Sequence, residues 1–220
     1  MHWEKEYRES GRLWGEEPSE LARAAVTYLK DSRAKAGTLN ILDIGCGYGR
    51  DAFFYADNLD SKILGIDLSE KAIEIALNTA SEARRENIEF RRCDFADLDT
   101  GGYDVVSASN LYQLLRGNER KTLRETVMRT LKPGGLFFLS TLSLNDPEHH
   151  GKGDPIPGEA NSFSFQQKTY LHFCTREELT EDFAFLDIKE LYEREYYEPR
   201  ATGEVHHHIS WVLAGERMSH

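Results

Sequence analysis

Three glycines at alternate positions, Gly45, Gly47 and Gly49, follow an apolar run, residues 41–44, that contains a single acid, Asp43. Glycines so placed let the backbone take positive φ and approach a ligand closely. A helix-compatible stretch begins at Arg50, so the segment reads as strand, tight turn and helix. Turns of this kind often cradle a pyrophosphate. Two features argue against one here. The spacing is G-x-G-x-G rather than G-x-G-x-x-G, and Asp43 would bring its charge near the phosphates and repel them. A carboxylate at that place suits a ligand with a cationic group, an α-ammonium or a sulfonium.

Further acids fall where such a ligand needs them. Residues 63–67 read as a second strand ending in Asp67, about twenty residues past the glycine turn, the interval at which an acid reaches a ribose diol. Residues 88–92 read as a third strand, and after it Asp94, between Cys93 and Phe95, can accept from an adenine amino group. A ligand combining ammonium, sulfonium, ribose and adenine is S-adenosylmethionine. At this point the sequence resembles the class I S-adenosylmethionine-dependent methyltransferases, and within them the small-molecule type represented by the tellurite-resistance and thiopurine enzymes. The matching segments are 42–50, 65–69, 92–95, 103–115 and 131–139, in the family's order.

The resemblance implies S-adenosylmethionine as cofactor and S-adenosylhomocysteine as product. Carried onto matching positions, it implies that Asp43 holds the methionine ammonium, that Gly45, Cys46 and Gly47 line the cofactor, and that Gly49 starts the helix. Asp67 would bind the ribose hydroxyls and Leu68 touch the adenine. Asp94 and Phe95 would recognise the adenine edge, and Ser109 and Asn110 line the methionine portion and the reaction centre. The run Ala108-Ser109-Asn110-Leu111 departs from the Asn/Asp-Pro-Pro-aromatic signature of many nucleic-acid amino-methylating enzymes, which disfavours nucleobase amines as acceptors.

Methyl transfer from a sulfonium is an in-line displacement on an already activated group. Alignment and desolvation are the main requirements, with a base only where the acceptor must lose a proton. Candidates for that role, or for contact with the acceptor, are His149, His206, His208, Asn110 and Tyr112. Alternation along 205–214 puts His206 and His208 on one strand face and His207 with Val205, Ile209 and Trp211 on the other. With a histidine from the segment before them, such a pair could act as a base or bind a metal, or be hydrogen-bonded histidines near a sheet end. No metal is assigned.

These residues need a scaffold, and the chain alternates strand and helix from residue 41 to residue 142. That pattern gives an α/β domain, and the family likeness makes it Rossmann-like: a doubly wound seven-stranded sheet, mostly parallel with an antiparallel last strand, order 3-2-1-4-5-7-6, helices on both faces. Ligands of such sheets bind beyond the carboxyl ends of the strands, where Asp43, Asp67, Asp94 and Ser109 fall. Residues 1–36 form an N-terminal segment and helix, which the resemblance implies fold over the site; Tyr7 and Trp14 are its candidate substrate contacts, beside Tyr112 and the histidines. Residues 143–174 are rich in Pro, Gly, Asp and Asn and read as a long loop covering the substrate. A capping box at Thr175 opens a short helix. Residues 185–192 and 205–214 read as the last two strands.

The 220 residues read as one domain, with 40% apolar residues for its core and a net charge of −11, which argues against a nucleic-acid partner. Three scattered cysteines suggest neither disulfides nor zinc. No segment is long and apolar enough for a bilayer, so the cytoplasm is the expected location. The expected partner is a small-molecule acceptor, and the chain a monomer or homodimer. An RNA or protein acceptor is the alternative; a nicotinamide-dependent oxidoreductase and a non-catalytic metal-resistance protein stand further off.

Overall fold

The computed structural model describes residues 2–32, 37–165, 169–199, 203 and 205–219. Among them run α1 (His2–Ser10), α2 (Glu20–Ser32), β1 (Leu39–Ile44), α3 (Arg50–Asn58), β2 (Ser61–Asp67), α4 (Glu70–Glu82), β3 (Ile88–Arg92) and β4 (Tyr103–Ser109). There follow α5 (Gly117–Thr130), β5 (Leu131–Leu142), β6 (Asp154–Pro155), β7 (Ser162–Phe165), β8 (Thr169–His172), α6 (Arg176–Asp182), β9 (Leu186–Pro199) and β10 (Val205–Arg217).

The main sheet has the order β3-β2-β1-β4-β5-β10-β9. Counting its strands alone, this is 3-2-1-4-5-7-6, as expected. β1 to β5 pair in parallel, and β10 runs antiparallel between β5 and β9. The central strands are buried on both faces, and alternation sends successive side chains to opposite layers. Phe138 joins Leu21, Val26, Ala52 and Tyr55 under α2 and α3, while its neighbour Phe137 joins Leu42, Val106, Leu123 and Val127 under α5. The strand order reverses between β1 and β4, and the crevice opens there.

Gly49 shows how tightly the first turn is fitted. It precedes α3 at φ 86°, and a Cβ built on it would lie 2.5 Å from Phe90 Cζ. Gly49→Ala is therefore expected to lose about 2–4 kcal/mol from backbone strain and overpacking together. Gly11→Ala, also at positive φ but with open space around its Cβ, should lose only the strain, about 1–2 kcal/mol. Urea unfolding of the two variants checks the difference.

Residues 2–10 form a helix, and Gly11 and Gly15, at φ 61° and 71°, turn the chain after it. Two segments differ from the sequence expectation. The 143–174 segment is not a structureless loop: β6, β7 and β8 make a small antiparallel sheet, with residues 166–168 outside the described set. Phe163, Phe165, Leu171 and Phe173 give it an apolar layer against Leu114 and Leu142, which explains its aromatic content. The last hairpin is longer than the hydrophobic pattern suggests, because β9 is an edge strand and its outer half carries polar side chains. At α6, Thr175 Oγ1 accepts from Glu178 N (3.1 Å), but the Glu178 carboxylate turns to His172 Nε2 (2.7 Å), so only half of the capping box forms.

Candidate active site

The chain turns sharply at the carboxyl end of β1. Gly45 N and Cys46 N both donate to Ile66 O, at 2.8 and 3.0 Å, folding the glycine turn over the end of β2. Gly45, Gly47 and Gly49 all have positive φ. Asp67 locks the turn from below: Oδ2 accepts from Gly47 N (2.9 Å) and Oδ1 from Ser69 N (2.8 Å). Burial holds the Asp67 carboxyl above its ordinary value despite these bonds.

Above this floor lies a cleft of about 620 Å³. Its first wall carries Asp43, Gly45, Cys46, Gly47, Asp67 and Leu68, and Phe95 stands at its far end. Asp43 is 2% exposed, and its Oδ2 is buried without a hydrogen-bond partner among the described residues. Burial, then the nearby Asp51 and Asp67, push its carboxyl well above the usual range, with Arg50 opposing. The neighbours have other engagements. Asp51 accepts from Ser19 N (2.7 Å) and Ser19 Oγ (2.6 Å), and Arg50 donates to Trp14 O (2.9 Å) and pairs with Glu198 (3.6 Å). Asp43 is thus a buried acid with an open acceptor facing a cleft, in a field set by other acids. The Cys46 thiol, pushed up by burial, is a small filler beside it.

Helix α1 lies across this wall. Its Glu4 accepts from Ser69 Oγ (2.7 Å) and Lys71 N (3.2 Å) at the start of α4, and from Arg8 Nε (2.9 Å). These bonds lower the Glu4 carboxyl to about 2. The Tyr7 hydroxyl lies 2.8 Å from where a Cβ on Gly47 would be, too close for any side chain there, and the ring meets Tyr48 edge to face. Trp14 N donates to Tyr48 Oη (3.1 Å). Tyr7 and Trp14 both line the cleft, and Trp3 lines it with them.

The opposite wall comes from β4, β5, β10 and the insertion. Ser109 and Asn110 line it, Asn110 at φ 52° with its N–H donating to Ser140 O (3.1 Å). Gln113, Leu142, Leu171 and Tyr196 close the far side. Here the histidines gather. His149 stacks on His208 with ring centroids 5.5 Å apart and lies 6.2 Å from His206. Both His149 and His208 line the cleft; His206, on the same strand face as His208 with ring centroids 6.0 Å apart, is not part of its lining. Asp146 organises the cluster. Its Oδ1 accepts from the N–H groups of Glu148 (3.1 Å) and His149 (2.9 Å), and its Oδ2 from Ile209 N (3.1 Å) and His208 Nδ1 (3.0 Å). Burial works against its ionisation, but His149 and His208 hold the carboxyl well below its ordinary value. His150 turns away and packs against Phe163 and Phe173.

One sequence assignment needs correction. Tyr112 is not at the cleft: the single turn 112–114 rotates it into the core, where it packs on Phe183 and its hydroxyl is bonded to Asp182 and Arg124. Asp94 lies between Cys93 and Phe95, which line the cleft, and its Oδ1 accepts from Ala96 N (2.9 Å) at the start of the next turn. Sequence reasoning missed Asp146, Asp51 and Gln113. Asp146-Pro147 carries a turn signal and nothing more, since burial against a distant strand leaves no local mark.

Residues 41–135 match the family described as methyltransferase domain. The demethylmenaquinone methyltransferase of Lactococcus lactis is 35% identical over 101 residues, 44% of this chain and 39% of that protein. The chain covers between 39 and 51% of the length of the first four curated relatives it matches. A Methanosarcina mazei structure described as a S-adenosylmethionine-dependent methyltransferase superposes with a TM-score of 0.70 at 22% identity, covering 83% of this chain and 94% of that one. The 1,6-didemethyltoxoflavin-N1-methyltransferase of Burkholderia thailandensis, solved with its substrate and S-adenosylhomocysteine, gives 0.65 at 18% identity, over 91 and 79%. At such identities the structural likeness establishes the fold.

Proposed function

We propose that this chain, whose residues 41–135 form a methyltransferase domain, transfers the methyl group of S-adenosylmethionine to a small molecule. The acceptor's lone pair forms the new bond to the methyl carbon while the carbon–sulfur bond breaks. The bonding electrons stay on sulfur, so the sulfonium becomes the neutral thioether of S-adenosylhomocysteine. The observation that carries this reading is the open, buried Asp43 Oδ2 at the glycine turn. A diphosphate there would meet three acids; an ammonium beside a sulfonium would relieve them.

In this reading the cofactor lies along the first wall, with its ammonium on Asp43, its ribose on Asp67, and Leu68 and Phe95 against the adenine. Ser109 and Asn110 flank the sulfur, and His149 and His208 face the acceptor with Asp146 holding His208 in place. A cleft of this volume roofed by α1 on one side and walled by the insertion on the other suits a small acceptor. The acidic charge of −11 supports the absence of a nucleic-acid partner. No helix among the described residues is long and apolar enough to cross a membrane, and a cytoplasmic location belongs to the proposal.

The test is calorimetry with S-adenosylhomocysteine. The wild type is expected to bind at micromolar concentration. Asp67→Ala removes two charge-assisted bonds to the diol and the pin on Gly47, about 3 kcal/mol, so its affinity should fall about 100-fold. A wild-type chain that binds no S-adenosyl compound would refute the proposal.

A further inference from the structure

The Asp146–His208 pair is arranged to receive a proton. His208 Nδ1 is bonded to Asp146 Oδ2 at 3.0 Å, and the ring lines the cleft. Both oxygens of Asp146 also accept from backbone N–H groups, so the group is held as a carboxylate and takes a hydrogen from Nδ1. The other ring nitrogen, Nε2, therefore keeps its lone pair. A buried carboxylate in this place also stabilises the imidazolium that forms when Nε2 takes up a proton.

The groups facing this ring support the same role. His149 stacks on it with planes 4° apart and centroids 5.5 Å apart, and His149 Nδ1 lies 3.7 Å from Asp146 Oδ1. One carboxylate thus serves two stacked imidazoles, and repulsion between the rings disfavours a proton on both. His206, its centroid 6.0 Å away, has Glu148 beside it at 3.8 Å. Tyr196 of β9 joins the histidine to the reaction centre. Its ring centroid lies 5.6 Å from that of His208, and its hydroxyl neighbours the Asn110 side chain. Burial pushes that hydroxyl up to about 12, so it stays neutral.

The space in front of His208 limits what it can serve. Leu114, Leu142, Leu171 and Tyr196 give this part of the cleft an apolar surface, with Gln113 and Thr169 as neutral polar groups. Among the described lining residues the one lysine or arginine is Arg50, and it is engaged by Trp14 O and Glu198. A carboxylate or phosphate on the acceptor would therefore meet no counter-ion here. A neutral amine attacks with its own lone pair and needs no base beforehand, whereas a phenol or enol hydroxyl is a poor nucleophile until its proton leaves.

We propose that His208 is the general base of the transfer, and that the acceptor carries a weakly acidic hydroxyl of phenol or enol type on an uncharged apolar frame. This role rests on the methyltransferase reading. Nε2 takes the hydroxyl proton as the oxygen bonds to the methyl carbon and the carbon–sulfur electrons pass to sulfur. The imidazolium, held by Asp146, then releases the proton to water.

The test uses the full chain saturated with S-adenosylhomocysteine and titrated with 4-nitrophenol, which ionises near neutrality in water and whose anion absorbs visible light. Bound to the wild type, its ionisation constant should be at least about tenfold larger than in water, the proton passing to His208. In His208→Gln the phenol should still bind but ionise no more readily than in water. An affinity of that variant for S-adenosylhomocysteine within about threefold of the wild type shows that its fold is kept, and His208→Asn replaces it where the affinity is lost. His207→Ala, which removes a ring on the opposite strand face paired with Glu195, should behave like the wild type. A second measurement offers the wild type S-adenosylmethionine and 4-aminophenol, with the product identified by mass spectrometry; the methyl group is expected on oxygen. A wild type that binds 4-nitrophenol only as the neutral phenol or not at all would overturn the proposal. So would ionisation unchanged in the His208 variant, or 4-aminophenol methylated on nitrogen or not at all. Calorimetry with S-adenosylhomocysteine separates the two claims. A chain that binds it but fails these tests loses the base and the acceptor class alone; one that binds no S-adenosyl compound loses the methyltransferase reading.

Discussion

Asp43→Asn raises the melting temperature of the empty chain and removes its affinity for S-adenosylmethionine. The two effects have one cause. The carboxyl is raised by burial and by Asp51 and Asp67, so its charged form destabilises the folded state. The folded-state value lies above the unfolded one, near 4. Asp43 therefore favours the fold below that pH, and the contribution is lost as pH rises through the raised value. Near neutrality the empty wild type carries a buried acceptor without a donor, worth about 1–3 kcal/mol. The neutral amide lacks that charge and can donate toward Asp51 or Asp67, so the variant should melt higher by about 2–4 °C for each kcal/mol recovered. The same amide cannot neutralise an ammonium, and cofactor affinity should fall at least about 100-fold. Thermal scans against pH, with and without cofactor, check both halves: the wild type loses stability with rising pH when empty and recovers it when bound, whereas the variant loses less, keeping only the smaller contribution of the raised Asp67 carboxyl, and is not rescued by cofactor.

Asp146→Asn should do the reverse, harming the fold and the chemistry while sparing the cofactor. All four groups that Asp146 contacts are N–H donors. An amide offers them one acceptor and turns its own NH2 group against the rest. Loss of about 3 kcal/mol follows, a fall in melting temperature of about 6–12 °C at this chain length. Its carboxyl is held below the ordinary value, so its contribution is present above the unfolded pKa, near 4, and is lost as pH falls through the folded one. The acid limb of the wild-type stability profile should accordingly be steeper than that of the variant. With His208 released, turnover of any acceptor that the wild type methylates should drop about 10–100-fold. The dissociation constant for S-adenosylhomocysteine, set on the other wall, should stay within about threefold.

The contrast between the two acids also shows what a sequence can and cannot display. Asp43 was legible because its meaning is local: an acid two residues before a glycine turn at the end of a buried strand faces the crevice whatever the rest of the chain does. The same holds for Asp67 and for the order of the main sheet, which follow from strand and helix periods and right-handed crossovers. The pairing of His206 with His208 was legible too, since alternation along a strand is a local rule. Asp146 was not, because its role depends on β10 passing beside it 62 residues later. Tyr112 looked like a site residue by position in a matching segment, and only the rotation of a single turn sends it to Asp182 instead. The small sheet of the insertion stayed hidden because its strands are two to four residues long, too short for a hydrophobic period to emerge.

The most direct measurement is a crystal structure of the chain grown with S-adenosylhomocysteine. The account predicts the amino-acid nitrogen within about 2.7–3.2 Å of Asp43 Oδ2 and the ribose diol on Asp67. An empty cleft, or a nucleotide whose phosphates rest against Gly45 and Gly47, would contradict it.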